Sequence, residues 1–249
     1  MPTKKNVIKK KNIKKKKIPK VMIAIPNQGT VTCNLAKQLV EIVTDSAVNK
    51  KFNIDLRFSK VTCIDYNRNT ITRMFLESDC DFLLMIDDDN PCLKNPLDLI
   101  ELNKDIMIYP TLMFKVDGGR EPILQYNVFK KDGNMWRSQR MTPGKKLEEY
   151  DAGGTGCILI KRKVLEKIKA PFLSKMNEDG TRNVGMDLWF CHRAKKAGFR
   201  IWAHWDYACQ HIKEIDLLDV GRMMLRDLYK IGEDSQEGGS PLIKLKEKK

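Results

Sequence analysis

Three consecutive carboxylates, Asp87, Asp88 and Asp89, follow directly on the apolar run Phe82-Leu83-Leu84-Met85-Ile86. An Asn-Pro turn signal, Asn90-Pro91, closes the stretch. The apolar run is short enough for a strand buried on both faces. The three Asp then sit at or just past its carboxyl end, where open α/β sheets bind ligands. Adjacent carboxylates repel one another where water is partly excluded, so a cation belongs beside them. A hard divalent ion with a phosphate attached matches their oxygen donors. The plainer alternative is a solvated acidic turn that caps the next segment.

The elements needed to position such a site alternate along the chain. Val21-Met22-Ile23-Ala24-Ile25 reads as a first buried strand, ending in the loop Pro26-Asn27-Gln28-Gly29. Leu35, Leu39, Ile42 and Val43 follow at helical spacing, with Thr30 or Thr32 as cap. This strand–loop–helix opening is that of a nucleotide-binding half-domain, yet neither G-x-G-x-x-G nor G-x-x-x-x-G-K-[ST] occurs. Dinucleotide oxidoreductases and P-loop enzymes are thereby disfavoured. Ile54–Phe58 alternates as a strand, and Tyr66–Glu77 reads as a helix with Arg68 and Asn69 in its first turn. An Arg at that end of a helix faces the binding edge and can pair with phosphate.

Ile106-Met107-Ile108-Tyr109 is a further short strand before Pro110. Pro122–Phe129 and the segment near Trp136 are expected to form a hairpin. Gly153-Gly154-Thr155-Gly156 enters the strand Cys157–Ile160, where missing Cβ atoms permit close backbone or ligand approach. A helix over 162–168 follows, then a loop over 174–185. Met186–Lys196 is helical, with Leu188, Trp189, Cys191 and Ala194 on one broad face and Gly198 as stop. Asp187 opens it, kept ionised by the helix dipole. Phe199–Ala203 is a strand, and an amphipathic helix is expected over 215–230. The alternation predicts one α/β domain over 21–231, between a disordered Lys-rich arm (1–20) and a flexible tail (232–249).

The net charge of +14 belongs mainly to that arm: without its ten Lys the charge falls to +4. The fold itself therefore carries no basic groove. Seven Cys, with no C-x-x-C pair, read as buried free thiols in a reducing compartment. No apolar stretch approaches the ~18 residues of a membrane span, and residues 1–20 lack the apolar core of a signal peptide.

Taken in order, the Ile-Pro loop, Arg68-Asn69, Asp87–Asp89, Gly153–Ile160, Pro171-Phe172, Gly185–Cys191, Ala197-Gly198-Phe199 and Cys209-Gln210-His211 resemble one family. The series is similar to nucleotide-sugar-dependent glycosyltransferases of the GT-A fold, especially small bacterial and viral members related to family 2. It spans roughly residues 21–212. The resemblance implies a GT-A (Rossmann-like) α/β fold with a mixed, mostly parallel sheet. It implies Mn²⁺ or Mg²⁺ on a D-x-D motif at Asp87 and Asp89, with His211 as third ligand. It places Pro26, Asn27, Arg68, Asp87 and Asp88 about the donor nucleotide and diphosphate. Gly153, Gly154, Thr155 and Gly156 would border sugar and acceptor, and Asp187 would be the catalytic base. The family's acidic pair has Met186 as its first member here. The expected reaction is transfer of a sugar to an acceptor hydroxyl on a glycan or lipid carrier, with inversion. The expected compartment is the cytoplasm of a bacterium, or of a host if the source is viral.

Two further expectations compete. One keeps the transferase but gives it a modified DNA base as acceptor, with the arm holding the duplex, or reduces the chain to a nucleic-acid-binding protein. The other assembles Cys191, His192, His204, Cys209 and His211 into a structural zinc site, although their spacing follows no finger pattern.

Overall fold

The computed structural model describes residues 17–115, 123–133, 135–138 and 143–214, together with 217, 218, 220, 221, 224 and 225. The arm over 1–16, most of the helix expected at 215–230 and the tail 232–249 lie outside the described residues.

The central sheet has seven strands, in the spatial order Asn53–Lys60, Lys20–Asn27, Phe82–Ile86, Cys157–Lys161, Ile106–Ile108, Ile201–His204 and Leu147–Tyr150. Five run in one direction, while Cys157–Lys161 and the edge strand Leu147–Tyr150 run against them. The first strand begins at Lys20, within the segment assigned to the arm. Lys17 forms an ion pair with Asp81, and Lys20 one with Asp79.

Period-two alternation builds two cores from the same strands. Met22, Ala24, Leu83, Met85, Ile158 and Ile160 face one way, against the helices Ile64–Glu77, Arg162–Lys167 and Met186–Lys196. Val21, Ile23, Ile25, Leu84 and Ile86 face the other, against Leu35, Leu39 and Ile42 of the helix Cys33–Asn49. Thr32 caps that helix by accepting from the Leu35 N–H, as its sequence position allowed.

Some local expectations need correction. Val128–Asp132, and not 122–129, pairs with Met135–Ser138 around Trp136, while Ile123–Tyr126 pairs with Leu112–Lys115. The segment 174–185 is no simple loop, because Lys175–Met176 and Arg182–Val184 form a small hairpin about the Asp179-Gly180 turn. On Met186–Lys196 the buried side chains are Phe190, Cys191 and Ala194, with Leu188 and Trp189 only partly covered. Gly198 at φ 91° supplies the left-handed turn that ends this helix.

Candidate functional site

The strand Phe82–Ile86 delivers Asp87, Asp88 and Asp89 to the carboxyl edge of the sheet, where the neighbouring strand delivers Pro26 and Asn27. Together with Lys213 these residues line a cavity of about 340 Å³. The backbone there is tightly knit. The Asp87 N–H donates to the Gly156 carbonyl at 2.6 Å, and both the N–H and the hydroxyl of Thr32 donate to the Asp88 carbonyl at 3.0 and 3.1 Å. Gly156 also leaves room for Asn90, since a Cβ would stand 2.2 Å from Asn90 Oδ1.

Each carboxylate has its own surroundings. Asp87 accepts from Arg68 Nη2 through both oxygens, at 2.8 and 2.9 Å. Arg68 is buried in the second turn of its helix, where it reaches Asp87 and is not presented to solvent. Its Nε and Nη1 are buried without partners. The Asp87 pKa is pushed up to about 6. Burial is the main cause, opposed by Arg68, and the charges of Asp187 and Asp89 add to it. Asp88 is also raised, by burial first and then by the charge of Asp89.

Asp89 meets the chain's late return. The Ile212 N–H donates to its carbonyl at 3.0 Å, Lys213 Nζ contacts its Oδ2, and His211 Nε2 lies 3.7 Å from that oxygen. His211 Nδ1 lies 3.0 Å from the Leu112 carbonyl. A carbonyl accepts only, so Nδ1 is the nitrogen that donates to Leu112, and Nε2 is the one turned towards the Asp89 carboxylate. A proton or a metal cation between Nε2 and the carboxylate would join the two.

The remaining expected residues fall on two sides. The Asn27 amide donates to the Ile25 carbonyl at 3.1 Å, and its oxygen accepts from Gly29 N–H at 2.9 Å, so the side chain shapes the loop. Gly153 is packed against Ile108, and Gly154 against Asn127. Thr155 is fully buried, and its hydroxyl donates to Asp187 Oδ1 at 2.6 Å. Asp187, at the open end of its helix, is thus oriented with Oδ2 left over. Its charge is among the causes that raise the Asp87 pKa.

Two contacts escaped sequence reasoning: Lys213 on Asp89, and Thr155 on Asp187. A lysine two residues beyond His211 was the available signal for the first. The set proposed for zinc is not brought together. Cys191 points at the Gly153 carbonyl, His192 stacks on Trp189, and His204 stands edge-on to Tyr207. Cys209 instead joins Cys92 and Cys157.

As a chemical arrangement, the edge offers hard oxygen donors and one imidazole nitrogen around a partly open cavity. A divalent cation fits that donor set, provided Lys213 moves off Asp89.

No family model matches the chain, and no curated protein matches it in sequence. Solved structures do match in shape. A197 from STIV aligns with a TM-score of 0.51 at 23% identity, over 78% of this chain and 86% of its own. GalNAc-T7, in a structure with UDP, GalNAc and Mn²⁺, aligns at 0.45 and 13% identity, over 80% of this chain and 44% of its own. A glycosyltransferase involved in the glycosylation of the major capsid of PBCV-1 aligns at 0.43 and 13% identity, over 83% and 99%. Likeness at such identities speaks to architecture and not to chemistry. The chain has an α/β fold shared with A197 from STIV, with a mixed, mostly parallel sheet between helices.

Proposed function

We propose that the chain is a metal-dependent glycosyltransferase that moves a sugar from a nucleoside-diphosphate sugar to an acceptor hydroxyl with inversion. The observation that carries this reading is the His211 ring, held by the Leu112 carbonyl with its other nitrogen turned to Asp89. A ring N–H donating to a backbone carbonyl, with the other nitrogen left for the metal, is how metal-binding histidines are held. Asp89 and His211 would hold Mn²⁺ or Mg²⁺, and Asp87 would complete the set from the nucleotide side. When bound, the ion neutralises charge developing on the leaving diphosphate.

The chain's own groups account for the rest. Arg68 keeps Asp87 pointed at the edge although burial disfavours its charge. Pro26 and Asn27 form the wall against which the nucleotide lies, with Asp88 in the same cavity. Lys213 is a half-exposed cation on Asp89 that would pass to the diphosphate when the ion binds. Asp187 acts from across the sugar, beside Gly154 and Gly156. As the bond from the anomeric carbon to the diphosphate oxygen breaks and the bond to the acceptor oxygen forms, Asp187 Oδ2 takes the acceptor's proton. Thr155 fixes the carboxylate during that transfer.

A panel of nucleotide sugars incubated with Mn²⁺ tests the reading. Metal-dependent release of a nucleoside diphosphate from one of them is expected. Pyrophosphate release from a nucleoside triphosphate and a sugar phosphate, with no diphosphate release from any nucleotide sugar, overturns it.

A further inference from the structure

Behind the acidic edge lies a second cluster of ionisable side chains that the proposed reaction does not use. Cys92, Cys157 and Cys209 are buried, and their sulfurs all lie within 4.8 Å of one another. They come from three separate stretches: the turn after the three Asp, the start of the antiparallel strand Cys157–Lys161, and the segment leading to His211. Cys92 Sγ and Cys157 Sγ lie 3.3 Å apart. Backbone contacts lock the stretches together. Cys92 and Cys209 face each other across an isolated bridge, and Cys209 N–H donates to the Pro110 carbonyl at 2.8 Å. Gln38, buried on the helix Cys33–Asn49, donates to the Cys92 carbonyl at 2.6 Å and accepts from the Cys92 N–H at 2.8 Å. The backbone of Cys92 is therefore held at both its N–H and its carbonyl.

From this convergence we infer that Cys92, Cys157 and Cys209 form a binding site for one thiophilic d¹⁰ cation, Zn²⁺ or Cu⁺. With a metal–sulfur bond of about 2.3 Å, sulfurs around one ion stand about 3.8–4 Å apart. The sulfurs, all within 4.8 Å of one another, stand within an ångström of that spacing, and the Cys92–Cys157 pair needs to open by only about half an ångström. All three donors are soft sulfur, which selects Zn²⁺ or Cu⁺ over the hard ions that suit Asp89. The phenol of the nearby buried Tyr109 is already committed, donating to the Pro96 carbonyl at 2.6 Å. No other His, Cys, Asp or Glu among the described residues joins the cluster, so the protein offers three thiolates. On binding, three S–H bonds release their protons and three metal–sulfur bonds form, with no change of oxidation state.

The position gives the ion a structural task. Ala208 accepts from the Leu93 N–H at 2.9 Å, the Gln210 N–H donates to Pro91 at 2.8 Å, and the Ile212 N–H donates to Asp89 at 3.0 Å. The segment from Ala208 to Lys213 is thus laid along the acidic turn, and His211 and Lys213 ride on it. An ion on Cys92, Cys157 and Cys209 would staple that segment to the turn and to the central sheet. The inference stands on the sulfur geometry and is independent of whether the acidic edge transfers sugar.

Elemental analysis of full-length protein, purified without chelators from cells supplied with zinc or copper, tests it. About one zinc or copper per chain is expected, falling at least about tenfold in Cys157→Ser and staying unchanged in Asp89→Asn. Wild-type protein loaded with Co²⁺ supplies a reading that needs no folded variant. An intense thiolate-to-cobalt charge-transfer band is expected, with the three Cys protected from alkylation. Two results overturn the site: a Co²⁺ spectrum without thiolate charge transfer, or a native disulfide joining any two of the three Cys.

Discussion

The three Asp and the three Cys draw on the same stretches of chain but present opposite chemistry. Asp87, Asp88 and Asp89 are partly exposed and line an open cavity, and each is already engaged by a neighbour: Asp87 by Arg68, Asp88 by the Thr32 contacts to its carbonyl, Asp89 by Lys213 and His211. Cys92, Cys157 and Cys209 are buried in the core beside Ile86, Tyr109 and Leu159. Two residues separate Asp89 from Cys92, and one separates Cys209 from His211. The difference shows how a short turn can sort ligands. The residues that reach the sheet edge meet solvent, while those one turn further are buried among sulfur and largely apolar side chains. Exchange at the first is compatible with turnover; the second suits permanent occupancy.

The comparison breaks first where it is most chemical. Asp187→Asn keeps the hydrogen bond from Thr155 but cannot take a proton. Turnover is expected to fall by about 10²–10⁴-fold with nucleotide binding retained, measured by steady-state kinetics and calorimetry. Full activity would remove Asp187 from the reaction. Asp89→Ala comes next. It deletes an oxygen donor at the edge, so calorimetry with nucleoside diphosphate and Mn²⁺ should show affinity reduced by about 10²-fold. Wild-type affinity would show that the edge holds no metal through this carboxylate.

A third test separates the clusters by pH. Asp87 titrates at about 6, above the ~3.9 of an unfolded Asp, so the native metal-free protein binds the proton more tightly than the unfolded chain does. The contribution of Asp87 to stability is therefore fullest below about pH 4 and is lost as pH rises through 6. Mn²⁺ needs the ionised form and should act in the reverse sense. Its stabilising effect, read as a rise in Tm, is expected above pH 6 and to fade as the pH is lowered through it. A Mn²⁺ effect that persists unchanged at pH 5 would remove Asp87 from the metal site.

How much of this was legible depends on whether the signal was local. The strand into Asp87–Asp89 was readable because five contiguous apolar residues and a turn lie in one stretch. The helix Met186–Lys196 was readable at both ends, since Gly185 and Gly198 flank it. Arg68 was located on its helix, but its partner was not, because that depends on how the buried helix is rotated against the strand. The loop at 174–185 hid a hairpin whose strands are two and three residues long, too short for any period to register. The Cys cluster was invisible for a different reason. Its members are separated by 65 and 52 positions, and only the antiparallel insertion of Cys157–Lys161 between two strands of the opposite sense brings them together. Spacing rules for metal sites presuppose ligands from one or two local turns, and here the sheet does that work.

The smallest expected effect has the sharpest sign. Lys213 now rests on Asp89, where the proposed ion would sit, and its side chain is half exposed. Such a contact is worth about 0–1 kcal/mol, or up to about fivefold in an equilibrium constant. Removing it in Lys213→Ala takes away a competing cation, so Mn²⁺ alone should bind up to about fivefold more tightly. Nucleoside diphosphate in the presence of Mn²⁺ should bind less tightly, because the lysine displaced from Asp89 is then missing from the phosphates. The two shifts have opposite directions and are read in the same titration. Weaker binding of both would mean that Lys213 supports the edge as a whole. Stronger binding of both would mean that it only blocks it. Opposite signs are expected only if one lysine serves Asp89 before the ligand arrives and the diphosphate afterwards.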